Sequence, residues 1–166
     1  MNKINCKSSL KKNIPVITII FIIAVCFFVS IILYKVKDYG KRRTFIFPSV
    51  DAGNYIVETR YLEKNPVKSD ISYYIDEMLL GSGIERTKLL FTAGTKNLSC
   101  FERSKVVYLN LSEDLLKMGD NVVDIEEGIN LLAKNVFQNF SDINEIDIFI
   151  GNKFAYKKTK LKNLNE

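Results

Sequence analysis

VVYLNLSEDLL, residues 106–116, joins the pattern of a strand to the pattern of a helix start. In its first half the apolar residues share the spacing of one face of a β-strand: Val107, Leu109 and Leu111. Ser112 then precedes the acidic pair Glu113 and Asp114. A Ser oxygen can accept a hydrogen bond from an unpaired backbone N–H at a helix start, and the helix dipole favours acidic side chains there. The stretch therefore predicts a strand over 105–112 that runs into a short helix over 113–118 capped by Ser112.

A catalytic interpretation of the same stretch lacks a base. The 166 residues include no histidine, so Ser112 cannot form a Ser-His-Asp site within one chain. A Ser-Lys pair stays open, although no S-x-x-K motif occurs at this position. Residues 81–88 (GSGIERTK) lack the glycine spacing of nucleotide-binding loops, and the cysteines lack metal-binding spacing. We therefore predict no catalytic residue, no cofactor and no metal site.

Two longer amphipathic helices are predicted on either side of this stretch. Residues 69–80 (SDISYYIDEMLL) have apolar residues at helical spacing, with Ser69 or Asp70 as the cap and Gly81 at the end. Residues 124–140 form the clearest helix, whose start has the capping-box spacing of Asp124 and Glu127. Its apolar stripe consists of Ile125, Ile129, Leu132, Ala133, Val136, Phe137 and Phe140.

Short strands and turns fill the remainder of the domain. The predicted strands are 44–48, 55–62, 97–101, 105–112 and 146–150, and residues 154–156 can pair back on the last one. Gly94 and Thr95 lie in one predicted turn, and Gly151 lies in another. Two helices over these strands predict an α+β fold, a two-layer domain in which one mixed or antiparallel sheet packs against two main helices.

An uncharged run at residues 14–34 precedes this domain. Twenty-one residues at 1.5 Å each span about 31 Å, which matches the hydrocarbon core of a bilayer. We interpret the run as one transmembrane helix, an uncleaved signal anchor between a basic cytoplasmic segment (1–13) and a basic stalk (35–43). The domain at 44–156 would then be extracytoplasmic, periplasmic or outside, and end in a disordered Lys-rich tail at 157–166.

A lipoprotein is the alternative to the anchor. The sequence Ile23-Ala24-Val25-Cys26 loosely resembles a lipobox, which makes Cys26 a candidate for lipidation. Val25 is a poor residue before the cysteine, and a mature chain beginning at Cys26 would start with the apolar FFVSIILY. The anchor is therefore favoured.

The distribution of charge argues against nucleic acid as a partner. Residues 1–43 contain nine Lys or Arg and one Asp, whereas residues 44–156 contain eleven Lys or Arg and seventeen Asp or Glu. The net charge of +5 therefore comes from the flanks, and the domain itself is acidic. Nucleic-acid binding would need a basic patch on the domain.

Several stretches in order resemble the GerMN domain, a domain named for a sporulation and spore-germination protein. They are VETR (57–60), EMLLG (77–81), AGTK (93–96), VYLNLSEDL (107–115), the E-x-x-x-L-L-x-x-N-V-F helix core (127–137) and IDIFIGNK (146–153). The family usually has Gly-Pro after the first helix, where this chain has Gly81-Ser82-Gly83, and Ile-Pro where this chain has Phe91-Thr92. The resemblance implies a membrane-tethered, non-catalytic envelope module.

Two classes of function follow from these observations. The first is a structural or interaction protein of the bacterial envelope, held at the cytoplasmic membrane by residues 14–34. It would bind envelope proteins or further copies of itself through a sheet edge or through the loops at 81–95 and 119–123. The second is an envelope enzyme or ligand-binding sensor, which would need paired carboxylates such as Glu58 with Asp76 or Glu77.

Overall fold

The structure is a computed structural model that describes residues 14–36, 40–51 and 53–160. The chain divides into two compact units, Met1–Tyr39 and Gly40–Glu166. The predicted cytoplasmic segment (1–13), part of the stalk (37–39) and the end of the tail (161–166) lie outside the described residues.

The described part of the first unit is one helix, α1 (Ile14–Val36). Its segment Pro15–Lys35 has 21 residues and the length and apolar composition needed to cross a membrane. The described side chains of this segment are exposed all along the helix, unlike those of a core helix in a soluble domain. The helix therefore fits a membrane anchor or a signal sequence.

The second unit is an α+β domain, which confirms the predicted class. Its elements are β1 (Lys41–Pro48), β2 (Tyr55–Leu62), α2 (Asp70–Leu79), β3 (Asn97–Arg103), β4 (Val106–Leu111), a 3-10 helix (Glu113–Leu116), α3 (Ile125–Asn139), β5 (Glu145–Ile150) and β6 (Lys153–Thr159). β1 begins within the predicted stalk, and β6 extends into the predicted tail as far as Thr159. Both extensions have a strand partner, which satisfies their backbone groups.

The strands form two sheets, whereas one sheet was expected from the sequence. β1 and β2, which contain the predicted strands 44–48 and 55–62, form an antiparallel hairpin. The other four strands form a sheet in the order β3-β4-β5-β6, in which β4 and β5 are parallel. α3 makes the crossover between these two parallel strands.

One core joins the hairpin, the larger sheet and both helices of the domain. β4 and β5 bury alternate residues, as the sequence pattern indicates, and the remaining side chains point to the opposite face of the sheet. The largest fully buried side chains are Phe45, Phe47, Tyr74, Ile75, Met78, Leu109, Leu111, Leu115, Ile129, Leu132, Ile143 and Ile146.

The side chains of Asn135 and Asn139 on α3 occupy the edge of β1 that faces away from β2. Asn135 Oδ1 accepts a hydrogen bond from Ile46 N at 2.7 Å, and Asn135 Nδ2 donates to Ile46 O at 2.9 Å. One helical turn later, Asn139 makes the same pair of bonds with the backbone of Thr44, at 2.8 and 2.7 Å. Two amides spaced by four residues therefore replace a neighbouring strand, because each amide offers one donor side and one acceptor side.

Tyr74 of α2 completes this buried polar cluster. Its hydroxyl donates to Thr44 O at 2.8 Å and accepts from Asn139 Nδ2 at 2.9 Å, while its ring stacks on Phe45 at 4.6 Å between centroids. Burial raises the pKa of Tyr74, so the hydroxyl stays protonated and remains a donor. The cluster thus connects both helices to β1.

We predict that Asn135→Ala destabilises the domain by about 3 kcal/mol, because the buried N–H and C=O of Ile46 both lose their partner. Urea unfolding of the domain 40–166 followed by circular dichroism measures this change. Asn130→Ala is the matched control, since Asn130 lies exposed on the same helix. Equal losses for the two variants would contradict this assignment.

Candidate functional site

The residues singled out around Ser112 do meet in the structure, at the end of β4. Ser112 N donates to Lys96 O at 2.9 Å, and Ser112 Oγ accepts from Lys96 N at 3.0 Å. Ser112 is the N-cap residue of the 3-10 helix by position, as predicted, but its side chain makes no cap hydrogen bond, so that part of the prediction is wrong. The serine instead continues the β3–β4 pairing beyond the last strand residues, because its hydroxyl oxygen reaches a backbone N–H across the sheet and not along its own chain. Its hydroxyl also contacts Asp114 Oδ2 at 3.2 Å.

Gly94 and Thr95 form the turn that brings Lys96 to Ser112. Thr95 is buried, and both its N–H and its hydroxyl donate to Thr92 O, at 3.0 and 2.7 Å. Gly94 has φ +92°, a backbone conformation that L side chains rarely adopt. Gly94 and Thr95 therefore have a structural role, because they fix the conformation of this turn.

Gly151 and Glu113 meet at the adjacent end of β5. Gly151 N donates to Leu111 O at 2.9 Å, and the glycine has φ +54°. A Cβ at this position would lie 2.4 Å from Glu113 Oε1, so the Glu113 side chain lies directly over the glycine. The motif residues therefore hold the turns at the carboxyl ends of the two parallel strands.

The carboxylate proposed for an enzyme, Glu58, is held by Arg60. Arg60 Nε and Nη2 donate to the two Glu58 oxygens at 2.7 and 3.0 Å. Ser82 Oγ also donates to Glu58 at 2.7 Å, and Glu77 Oε2 lies 3.7 Å from Arg60. The hydrogen bond with Arg60 is the main reason why the pKa of Glu58 falls to about 2. A general acid needs a raised pKa, so this carboxylate is not suited to that role.

Arg60 has a structural role beside that carboxylate. Its guanidinium also donates to Gly81 O at 2.6 Å and to Glu77 O at 3.2 Å, at the end of α2. The same group lies 4.8 Å from the centre of the Phe45 ring. Arg60 thereby ties β2 to the last turn of α2. This region is therefore built as a packed ion pair and not as an open cleft with two free acids.

An aromatic surface lies on the outer face of the four-stranded sheet, opposite the core. Phe101 stacks on Tyr108 at 5.0 Å, and Phe149 meets Phe154 edge-on at 5.6 Å. Phe101 is 54% exposed and Phe154 is 58% exposed. These rings come from four different strands, and we call them the outer aromatic face. Large apolar side chains grouped on a surface mark interaction sites more often than scattered ones do.

A small cleft opens on this face. It has a volume of about 210 Å³ and is lined by Ser99, Phe101, Tyr108, Asn110, Phe149 and Asn152. Asn110 Nδ2 donates to Asn152 Oδ1 at 2.7 Å, and Asn152 N donates to Asn110 Oδ1 at 3.1 Å, which fixes the polar wall. Small-molecule sites usually measure about 300–1,000 Å³. The cleft is therefore smaller than a typical small-molecule site.

Charged groups flank the outer aromatic face. Lys157 Nζ lies 2.7 Å from Glu145 Oε1, and this hydrogen bond raises the pKa of the lysine. Asp147, which pairs with Tyr108 and Lys157 in the sheet, has one buried oxygen that accepts no hydrogen bond within the described part of the chain. The face therefore combines aromatic contact area with fixed charges of both signs.

No family model and no curated protein sequence matches this chain. Solved structures do. The first GerMN domain of the sporulation protein GerM from Bacillus subtilis matches with a TM-score of 0.56 and 13% identity, over 69% of this chain and 86% of that one. The tandem GerMN domains of the same protein match with a TM-score of 0.53 and 16% identity, over 68% of this chain and 39% of that one. The domain has the GerMN fold.

Within the GerMN fold of this chain, the stretch VYLNLS is β4 and its end, and the E-x-x-x-L-L-x-x-N-V-F stretch lies within α3. The asparagine in the second stretch is Asn135, the residue that binds the β1 backbone. The Gly81-Ser82-Gly83 departure also has a local explanation, because Ser82 and the Gly83 N–H both donate to Glu58. The resemblance noted in the sequence is confirmed at the level of the fold.

The outer aromatic face and the two asparagines were not predicted from the sequence. The alternation along β4 places Tyr108 and Asn110 on one face of the strand, but their neighbours Phe101, Phe149 and Phe154 depend on strand order and register. Asn135 was overlooked because it lies beside the apolar stripe of its helix. An asparagine next to the apolar stripe of an amphipathic helix is expected to be buried, and a buried amide needs hydrogen-bond partners. This position could therefore have indicated a polar contact in the core.

We predict that Glu58→Gln weakens the acid sensitivity of the domain. Glu58 has a folded-state pKa of about 2, below the ordinary value for glutamate of about 4.3. The stabilisation from its ionised form is therefore complete above about pH 4.3 and is lost as the pH falls toward 2. In Glu58→Gln the free energy of unfolding should start lower at pH 7 and converge with the wild-type value by pH 2.

Denaturant unfolding at several pH values between 7 and 2 checks this prediction. Glu126→Gln is the control, because Glu126 is exposed on the first turn of α3. Its pH dependence should stay parallel to that of the wild type. A Glu58→Gln curve that is also parallel to the wild type would refute the role assigned to Glu58.

Proposed function

We propose that this chain is a non-catalytic, sporulation-related module of the bacterial envelope. Residues 14–34 would anchor it in the cytoplasmic membrane, with the GerMN-fold domain outside. The domain would bind another envelope protein through the outer aromatic face. The observation that carries this proposal is the combination of the exposed aromatic surface with a fold that the comparisons find in domains of a sporulation protein.

The chemistry of the outer aromatic face supports a protein as its ligand. Exposed rings provide a large apolar contact area with few rotatable bonds, which lowers the entropy lost on binding. The 210 Å³ cleft has room for one inserted side chain, and Asn110 and Asn152 offer polar contacts at its rim. We expect an aliphatic or aromatic side chain of the partner in the cleft.

Attachment to the membrane would make weak binding at this face sufficient. A tethered domain meets partners in the same membrane at a raised effective concentration, so modest affinity suffices. The uncharged run and its basic flanks support an uncleaved anchor with a cytoplasmic N-terminus. In the alternative form, a lipid on Cys26 would tether the same domain on the same side of the membrane.

We predict that the domain is labelled from outside the cell. In a chain whose native cysteines are replaced, Ser141→Cys should react with a membrane-impermeant thiol reagent on intact cells, because Ser141 is exposed on the domain. Asn5→Cys should react only after the cells are opened. Labelling of position 5 alone would place the domain in the cytosol and overturn the envelope proposal.

The outer aromatic face should also cross-link to a partner. A photoreactive phenylalanine analogue at position 154 should give a protein adduct in cells, because Phe154 lies exposed on this face. The matched probe at position 67 should give no such adduct, since Val67 is 89% exposed but lies in the loop before α2. Adding Phe101→Ala should remove the adduct at position 154.

Similar adducts from both positions, or none from position 154, would contradict binding at the outer aromatic face. An adduct that survives Phe101→Ala would mean that the aromatic contact does not hold the partner. Mass spectrometry of the adduct identifies the cross-linked protein and the partner residue that lies nearest the cleft.

A further inference from the structure

Among the residues that the structure describes, nothing pairs with the outer edge of β2, so β2 is an open edge strand along its full length. On the opposite side of the hairpin, Asn139 and Asn135 occupy the β1 backbone at Thr44 and Ile46, and Lys88 N donates to Pro48 O at 2.8 Å. In an antiparallel ladder, successive residues direct their backbone N–H and C=O groups to opposite sides of the strand. The residues of β1 that alternate with Thr44, Ile46 and Pro48 therefore direct these groups to β2. Their partners in β2 are Ile56, Glu58, Arg60 and Leu62.

The other four residues of β2 therefore direct N–H and C=O groups away from the hairpin. They are Tyr55, Val57, Thr59 and Tyr61, and no described residue hydrogen-bonds to their backbone across this edge. Their side chains are exposed as well, to 50% for Tyr55, 60% for Val57 and 64% for Tyr61. Because the pairing of β1 with β2 runs without a bulge over eight residue pairs, the edge is regular and ready to pair.

The edges of the larger sheet differ in this respect. The β3 pairing is interrupted by a bulge between Asn97 and Ser99, and the strand ends in charged residues. The β6 pairing has a register shift as well, and the strand carries Lys153, Lys157 and Lys158. Bulges and lysines are the usual means by which proteins prevent edge-to-edge pairing. The outward-directed residues of β2 have neither feature.

We propose that two copies of this chain pair through their β2 edges. The strands would run antiparallel about a two-fold axis at Thr59, and each two-stranded hairpin would become half of a four-stranded sheet. This interface is separate from the outer aromatic face and does not depend on what binds there. A two-fold contact of this kind uses the same surface on both copies, so that surface must be complementary to itself.

The side chains of β2 meet this requirement in one register. With Thr59 opposite Thr59 of the second copy, Glu58 lies opposite Arg60, Val57 opposite Tyr61 and Ile56 opposite Leu62. Opposite-charge and apolar cross-strand pairs stabilise a sheet, whereas like charges opposite each other destabilise it. A shift by one pairing step in either direction places Glu58 opposite Glu58 or Arg60 opposite Arg60. Charge complementarity therefore favours a second copy and selects the register.

Cysteine cross-linking in the full-length chain tests the interface. The native Cys6, Cys26 and Cys100 are first replaced, and Thr59→Cys is compared with Thr159→Cys, a matched change on the exposed β6 edge. Directly opposed strand residues lie within disulfide reach. After mild oxidation in detergent, Thr59→Cys should give a disulfide-linked dimer that Thr159→Cys does not give. Equal cross-linking of both variants, or none of either, would overturn the proposal.

The register is tested by mixing two variants. Val57→Cys and Tyr61→Cys should form a disulfide with each other when co-expressed, and neither should form a dimer when expressed alone. Efficient dimers of Val57→Cys alone would reject the Thr59 axis, because that axis places Val57 opposite Tyr61.

The association itself is tested without any cysteine change. Sedimentation of the detergent-solubilised wild type should give the mass of two chains, and Thr59→Lys should give the mass of one, because two lysines would face each other at the axis. Thr159→Lys should remain a dimer. Circular dichroism confirms that both variants are folded. A wild-type chain with the mass of one copy, or a Thr59→Lys variant that still dimerises, would refute the β2 interface.

Discussion

The amide contacts between α3 and β1 are the constraint on which the remainder of the domain depends. Asn135 and Asn139 bond the backbone at Ile46 and Thr44 in the way that a neighbouring strand would. A strand edge cannot be buried with unpaired N–H and C=O groups, because each would cost about 1–3 kcal/mol. The two asparagines allow β1 to enter the core beside a helix.

Separation of the sheets follows from this contact. Since α3 takes the place of a further strand, the hairpin ends at β1 on one side and presents β2 on the other. The larger sheet then covers the core with one face and leaves its outer face to solvent. The open β2 edge is therefore a consequence of how α3 packs, whereas the outer aromatic face follows from the order and register of the four strands of the larger sheet.

The polar and titratable residues that a catalytic site could use have structural roles in this domain. Ser112 extends a strand pairing through Lys96, and Glu113 lies over Gly151 where two parallel strands end. Glu58 is held ionised by Arg60, and burial raises the pKa of the Cys100 thiol to about 12, which keeps it protonated and unreactive. Polar residues at strand ends are needed there because turns must satisfy their own backbone groups. These structural roles are compatible with the binding function proposed for the domain.

The sequence by itself determined the apolar N-terminal helix, both main helices and the α+β class, because each of these depends on local periodicity and composition. It also indicated the start of α2, where Ser69 accepts from Ser72 N. The tertiary structure alone decided that the strands divide into two sheets, that the Ser112 hydroxyl bonds Lys96 and not the start of the 3-10 helix, and that four rings lie on one face. The physical reason is that a polar side chain can bond along its own chain or across to another segment. Only packing determines which partner lies within hydrogen-bond reach.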